Sequence, residues 1–115
     1  MIERRGRIPQ RQEVPSYQAN LLSDAVVAWV GYGEAVSPKR DDDRVRQRFG
    51  AAEAERLLPI VRAVEAECWA SKAHLAAANP AAMATAAAAH LHERFPHLRE
   101  DAIEAVVWAY TFDNR

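Results

Sequence analysis

Apolar residues recur along most of this chain at intervals of three and four, the spacing that puts them on one face of an α-helix. The first such face consists of Leu21, Leu22, Ala25, Val26, Trp29 and Val30. Gly31 and Gly33 follow it, and glycine often stands just past the end of a helix. The pattern predicts a helix from about Tyr17 to Tyr32, with Ser16 as its N-cap.

A second, charged helix is predicted from Asp41 to Phe49, with Gly50 as its end. Its acidic residues come first and its basic residues last, which complements the helix dipole. Asp42 has the spacing to pair with Arg46, and Asp41 the spacing to pair with Arg44.

Residues 51–71 form the most pronounced core helix, with an apolar face at 4-3-4 spacing. That face consists of Leu57, Val61, Val64 and Cys68. Pro59 removes one helix hydrogen bond and clashes with the preceding turn. We therefore expect either two helices that meet near Leu57 and Pro59 or one helix kinked there.

Asn79 and Pro80 mark another helix start, because Asn is a good N-cap and Pro suits the first helical position. This helix extends to about Phe95, and a last helix extends from Glu100 to about Phe112. Alanine, the strongest helix former, supplies 24 of the 115 residues. The sequence thus predicts an all-α fold, a single compact bundle of four to five helices.

The predicted organisation is a flexible basic arm over residues 1–15 and a helical domain over residues 16–115. The arm has Gly and Pro but no helical periodicity. The predicted core is Leu21, Leu22, Val26, Trp29, Leu57, Val61, Val64, Cys68, Leu91, Ile103, Val106, Val107 and Tyr110.

Composition and charge indicate the cellular compartment in which we expect the protein. The net charge is −1, and no apolar run approaches the roughly 20 residues of a membrane span. The start of the chain lacks the apolar stretch of a secretory signal, and a single cysteine permits no internal disulfide. Arg outnumbers Lys 13 to 2, which together with the abundant Ala indicates G+C-rich codons. We expect a cytoplasmic bacterial protein without membrane contact.

The residues that usually carry chemistry lack the spacing that chemistry requires. His90 and His92 point to different sides of a helix, and neither the i,i+4 His pair nor a Cys-x-x-Cys turn occurs. Cys68 lies on an apolar face, where a thiol is usually inert. Gly31 and Gly33 follow a helix, whereas a phosphate loop precedes one. We expect no catalytic residue, no metal and no cofactor.

We do not expect nucleic acid as the partner, and the one alternative is an accessory contact through the arm, whose arginines are Arg4, Arg5, Arg7 and Arg11. A recognition helix needs basic or amide side chains near its N-terminus. The last helix carries Glu100, Asp101 and Glu104 there, and these carboxylates repel phosphate.

Protein binding is the remaining class. Trp108 and Phe112 lie off the predicted core stripe, and exposed aromatic residues are typical of interface hot spots. The block Asp41, Asp42 and Asp43 either forms the N-terminus of its helix or contacts a basic patch on a partner. We expect these five residues to bind a protein partner.

The most concrete form of this hypothesis is an immunity or antitoxin-type protein that inhibits a partner, such as a toxin, by occluding it. One alternative is a small enzyme or enzyme subunit whose site is built from scattered residues. Another is a regulator that contacts nucleic acid through its basic arm. A homodimer is compatible with each of these functions.

Overall fold

A computed structural model describes the backbone of residues 16–114 and the side chains of residues 19–114. The predicted arm, residues 1–15, lies outside the described residues. The helices are α1 (Ser16–Val30), α2 (Asp42–Phe49), α3 (Ala51–Ala70), α4 (Ala73–Ala76), α5 (Pro80–Arg94) and α6 (Glu100–Asp113). The described chain is all-helical, with five helices of eight residues or more and the single turn α4, which confirms the predicted fold class.

The last helix, α6, packs against α1, α3 and α5. Its buried residues cover more than half of its circumference; they are Ala102, Ile103, Ala105, Val106, Val107, Ala109 and Tyr110. Three of the seven are alanines, whose small side chains let neighbouring helices approach closely. The other half of its residues are exposed or half-buried.

Most of the predicted core is confirmed. Twelve of the thirteen residues are buried, and Leu21 is half-buried on the edge of the core. The core also includes Val45, Met83, Phe95 and Leu98, which join it from α2, from α5 and from the turn before α6. Val45 stands among charged residues and Leu98 lies in a turn, so no helical stripe marks these two, whereas Met83 and Phe95 continue the four-residue spacing of Ala87 and Leu91.

The predicted helix boundaries hold to within a few residues. The Asn79 side chain accepts a hydrogen bond from the Ala82 N–H at 2.8 Å, with Pro80 in the first turn. Asp41 is the N-cap of α2, so that helix begins one residue later than predicted. Pro59 lies inside α3, which is one continuous helix, so the alternative of two separate helices is wrong.

An arginine connects the start of α6 to α1. The backbone N–H of Arg99 donates to the hydroxyl of the buried Ser23 at 3.0 Å, and its guanidinium contacts Asp24 at 2.7 Å. The same guanidinium binds both carboxylate oxygens of Asp101, at 3.1 and 3.0 Å. These charged hydrogen bonds lower the pKa of Asp101.

A second arginine, Arg44, binds the end of α1. The predicted pair of Asp41 with Arg44 is wrong, because Arg44 contacts backbone oxygens instead. The guanidinium of Arg44 donates to the backbone oxygens of Ala28, Trp29 and Lys39 at 3.1, 3.2 and 2.9 Å. Carbonyls at the end of a helix have no partner within it, so a cation there satisfies them. Spacing within α2 could not reveal this contact, because its acceptors lie outside that helix.

Gly31 makes room for that arginine. It has a positive φ of 83°, and the N–H groups of Gly31 and Tyr32 both donate to the Val27 oxygen, closing the end of α1. A Cβ atom on Gly31 would lie 2.9 Å from the Arg44 Nη1 atom. Gly33 has a similar φ of 87°, but a Cβ atom there would meet nothing within 4 Å.

These two glycines give a matched test. Gly31→Ala and Gly33→Ala both force an L side chain to a positive φ, at a cost of about 1–2 kcal/mol. Gly31→Ala should lose about 1 kcal/mol more, because Arg44 must leave one or more carbonyls. Urea unfolding of both variants measures the difference. Equal losses of unfolding free energy would show that Arg44 contributes nothing at the end of α1.

Candidate partner-binding site

The acidic block at the start of α2 has internal partners. The Asp41 side chain caps the helix by accepting from the Asp43 N–H at 2.9 Å. Asp42 accepts a hydrogen bond from the indole N–H of Trp29 at 2.9 Å and forms an ion pair with Arg62. The predicted pair of Asp42 with Arg46 is present at 3.9 Å. The block therefore joins α1, α2 and α3.

The two predicted aromatic residues lie together on α6. Trp108 is half-buried, and Phe112, one turn further on, is 38% exposed. With Thr111 and with Pro80 at the start of α5, they line a cleft of about 140 Å³. Sites that enclose drug-sized molecules are about 300–1,000 Å³. The cleft has room for a single side chain rather than for such a ligand.

Two neighbours complete the surroundings of Trp108. The Tyr32 ring, just past the end of α1, packs on the Trp108 ring with centroids 5.4 Å apart. Its hydroxyl donates to the Glu104 carboxylate at 3.2 Å. Partial desolvation, and then the Glu104 and Asp101 carboxylates, raise the pKa of Tyr32, so its phenol remains a hydrogen-bond donor at neutral pH.

Four residues follow one exposed line along α6, and we refer to them as the α6 ridge. They are Asp101, Glu104, Trp108 and Phe112, and their spacing puts them within an arc of about 80° on the helix. The first half of the ridge is acidic and the second half is aromatic. The ridge occupies the arc of α6 that α1, α3 and α5 leave uncovered.

The carboxylates on and near the ridge differ in whether a basic side chain pairs with them. Asp101 is bound by Arg99, and Asp113 is bound by Arg40 at 2.8 Å. Glu104 is exposed, and among residues 19–114 no Lys or Arg forms an ion pair with it. Within the described residues, the ridge therefore presents a carboxylate without a basic partner one helical turn from Trp108.

The histidines lie apart from one another. His90 contacts Glu67 at 2.9 Å, and His92 contacts Glu100 at 3.2 Å. His74 donates its backbone N–H to the buried Tyr110 hydroxyl at 2.7 Å, which fixes α4 to α6. Within the described residues, no group of three or more His, Cys, Asp or Glu side chains is arranged to hold a metal ion.

The cysteine is fully buried in α3. Its burial, and to a smaller degree the nearby Glu65 carboxylate, raise the pKa of Cys68 to about 12. A thiol at that pKa is protonated at neutral pH, and the thiolate is the reactive form. Cys68 therefore contributes packing to the core.

A more polar cavity of about 260 Å³ lies between α1 and α2. It is lined by Val27, Ala28, Tyr32, Glu34, Arg44, Gln47 and Arg48. Arg44 is engaged with the carbonyls at the end of α1, and the raised pKa of Tyr32 keeps that phenol protonated at neutral pH.

No helix in the described part of the chain has the length and apolar character needed to cross a membrane. No protein-family model matches the chain, and neither curated proteins nor solved structures gave a significant match.

The sequence predicted part of this site. Trp108 and Phe112 were predicted as contact residues, and both lie off the core stripe in one cleft. Glu104 could have been added from its i,i−4 spacing to Trp108. Tyr32 and Pro80 approach from α1 and α5, and no local pattern indicates which distant residues pack beside a helix.

The acidic block provides a prediction that separates folding from partner contact. Asp42→Ala should lower the free energy of unfolding by about 1–3 kcal/mol, because it leaves the buried Trp29 N–H without an acceptor. Asp43→Ala should cost less than about 0.5 kcal/mol, because that side chain is exposed. Urea unfolding measures both losses. A similar loss in the two variants would contradict the internal role of Asp42.

Proposed function

We propose that this chain is a protein-binding protein that inhibits a partner by covering part of its surface, and that the α6 ridge is its principal contact. The observation that carries this proposal is the cleft of Trp108, Thr111, Phe112 and Pro80. Binding energy at protein interfaces is concentrated in a few aromatic or arginine side chains that occupy well-packed pockets. Trp108 and Phe112 supply two such rings on a rigid helix.

The position of the ridge also supports the proposal. It lies on a helix that has half of its residues buried against three others, so a partner would meet a preorganised surface. Preorganisation reduces the entropy lost on association, and occlusion by a small scaffold needs tight binding. A toxin-neutralising immunity or antitoxin-type protein in the bacterial cytosol is the concrete form that we propose.

The acidic block has a smaller part in this proposal than the sequence indicated. Asp41 and Asp42 are engaged in helix capping and in contacts with Trp29 and Arg62. Asp43 has a largely exposed side chain, but it already pairs with Arg46 at 2.8 Å. We place the aromatic residues at the centre of the contact and the acidic block at its margin or outside it.

The test is capture of proteins from a lysate of the native host by three forms of the tagged chain. These are the unchanged protein, Trp108→Ala, and Leu75→Ala as a matched control. Leu75 is 72% exposed on α4, so its loss removes a surface apolar side chain away from the ridge. Circular dichroism should show unchanged helicity in both variants.

We expect one protein to be retained in stoichiometric amounts by the unchanged chain and by Leu75→Ala. Trp108→Ala should weaken its binding by about 30-fold or more, since truncation of a hot-spot aromatic costs about 2 kcal/mol or more. The retained protein should lose activity when saturated with the chain. Equal retention by all three forms would reject the ridge, and a partner that stays active would reject inhibition.

A further inference from the structure

The α6 ridge places beside an aromatic ring a carboxylate with no Lys or Arg partner among residues 19–114, and this pairing specifies the chemistry of its partner. We propose that the partner segment presents an arginine to Glu104 and Trp108 and inserts an aliphatic side chain into the cleft beside Phe112. This inference rests on the proposed function, because it names the kind of segment that the α6 ridge would bind.

The position of Glu104 carries the first step. Tyr32 holds its carboxylate through a hydrogen bond of 3.2 Å, and the ring of Tyr32 packs on Trp108. The carboxylate is thereby fixed near the indole, with no Lys or Arg paired to it among residues 19–114. A guanidinium can bind a carboxylate through two N–H groups and stack on an aromatic face at the same time. Lysine, with a compact ammonium, lacks the planar fork.

The charge of the folded domain carries the second step. Residues 16–114 contain ten Lys and Arg residues and 14 Asp and Glu residues, so the domain is net negative. A basic segment is attracted to such a surface, whereas nucleic-acid phosphates and anionic lipids are repelled. Charge complementarity therefore favours a basic polypeptide segment at the ridge.

The cleft carries the third step. Its volume of about 140 Å³ and its lining by Trp108, Phe112, Pro80 and Thr111 suit one aliphatic side chain. The cleft begins one helical turn beyond Glu104. The arginine and the aliphatic side chain of the partner segment should therefore lie about 6–12 Å apart, the rise of four to eight residues along α6. The indole N–H of Trp108 has no acceptor among the described side chains and backbone, so it can donate to the segment.

The probe is a displayed library of random 12-residue peptides, selected on the full chain at low salt. Parallel selections use Glu104→Gln and, as a matched control, Glu55→Gln. Glutamine at position 104 can still accept the Tyr32 hydrogen bond, so the change removes charge and little else. Glu55 is exposed on α3, and its replacement changes the net charge by the same amount.

We expect peptides that contain an arginine and an aliphatic residue to be enriched on the unchanged chain and on Glu55→Gln. Glu104→Gln should weaken the selected peptides about fivefold, the range of a partly exposed ion pair. Replacing the arginine of a selected peptide by Gln should weaken its binding to the unchanged chain by the same factor. The Gln peptide should bind Glu104→Gln no more weakly than it binds the unchanged chain. Binding should weaken as salt is raised.

Enrichment of acidic or uncharged peptides, or equal binding by Glu104→Gln and the unchanged chain, would overturn the assignment of arginine. The proposed function is tested separately, by whether Trp108→Ala loses the protein captured from the lysate. If Trp108→Ala loses that protein but the selected peptides show no preference for arginine, this inference is rejected and the proposed function stands. Loss of the selected peptides after the arm changes Arg4→Gln, Arg5→Gln, Arg7→Gln and Arg11→Gln would place the contact on the arm and overturn the ridge as the site.

Discussion

The burial of α6 among three other helices is the packing constraint on which the rest of this structure depends. Its alanines let α1, α3 and α5 approach closely, and its larger residues fill the space between them. Half of the residues of α6 are buried by this packing. Asp101, Glu104, Trp108 and Phe112 lie on the arc that α1, α3 and α5 do not cover, so they are displayed by a helix that is held from three sides.

Charged side chains are largely used to fix the helices around this centre. Arg99 joins the start of α6 to Asp24 on α1, while Arg44 closes the end of α1 from its position on α2. Asp42 connects the indole of Trp29 to Arg62 on α3. Individual ion pairs at a surface stabilise little, but contacts to buried donors and helix ends satisfy groups that would otherwise lose hydrogen bonds. Glu104 differs from these residues, because no Lys or Arg side chain in the described part of the chain pairs with it.

The sequence predicted the parts of this fold that depend on local periodicity. The apolar stripes located α1, α3, α5 and α6, and Asn79 with Pro80 marked the start of α5 because capping is chemistry between near neighbours. Contacts between distant segments could not be predicted from local periodicity. Arg44 was expected to pair with Asp41, but it binds carbonyls of α1 that lie 15 and 16 residues away in the chain.

The same distinction applies to the candidate site. Trp108 and Phe112 could be identified because they lie off a regular stripe on one helix. The internal role of Asp42 depends on Trp29 and Arg62, which are 13 and 20 residues distant in the chain. The sequence therefore did not distinguish a partner-binding Asp42 from one that joins helices of the fold. The Tyr32 ring and hydroxyl, which position Glu104 beside Trp108, depend on the packing of α1 against α6.

The most direct test of the central claim, that the α6 ridge is a contact surface, is photo-crosslinking in living host cells. A photoreactive phenylalanine analogue would replace Phe112, where it keeps an aromatic ring, in one variant and the exposed Glu55 of α3 in another. We predict a discrete cross-linked protein from position 112 and none from position 55. Cross-linking from position 55 alone, or equal products from both positions, would contradict it.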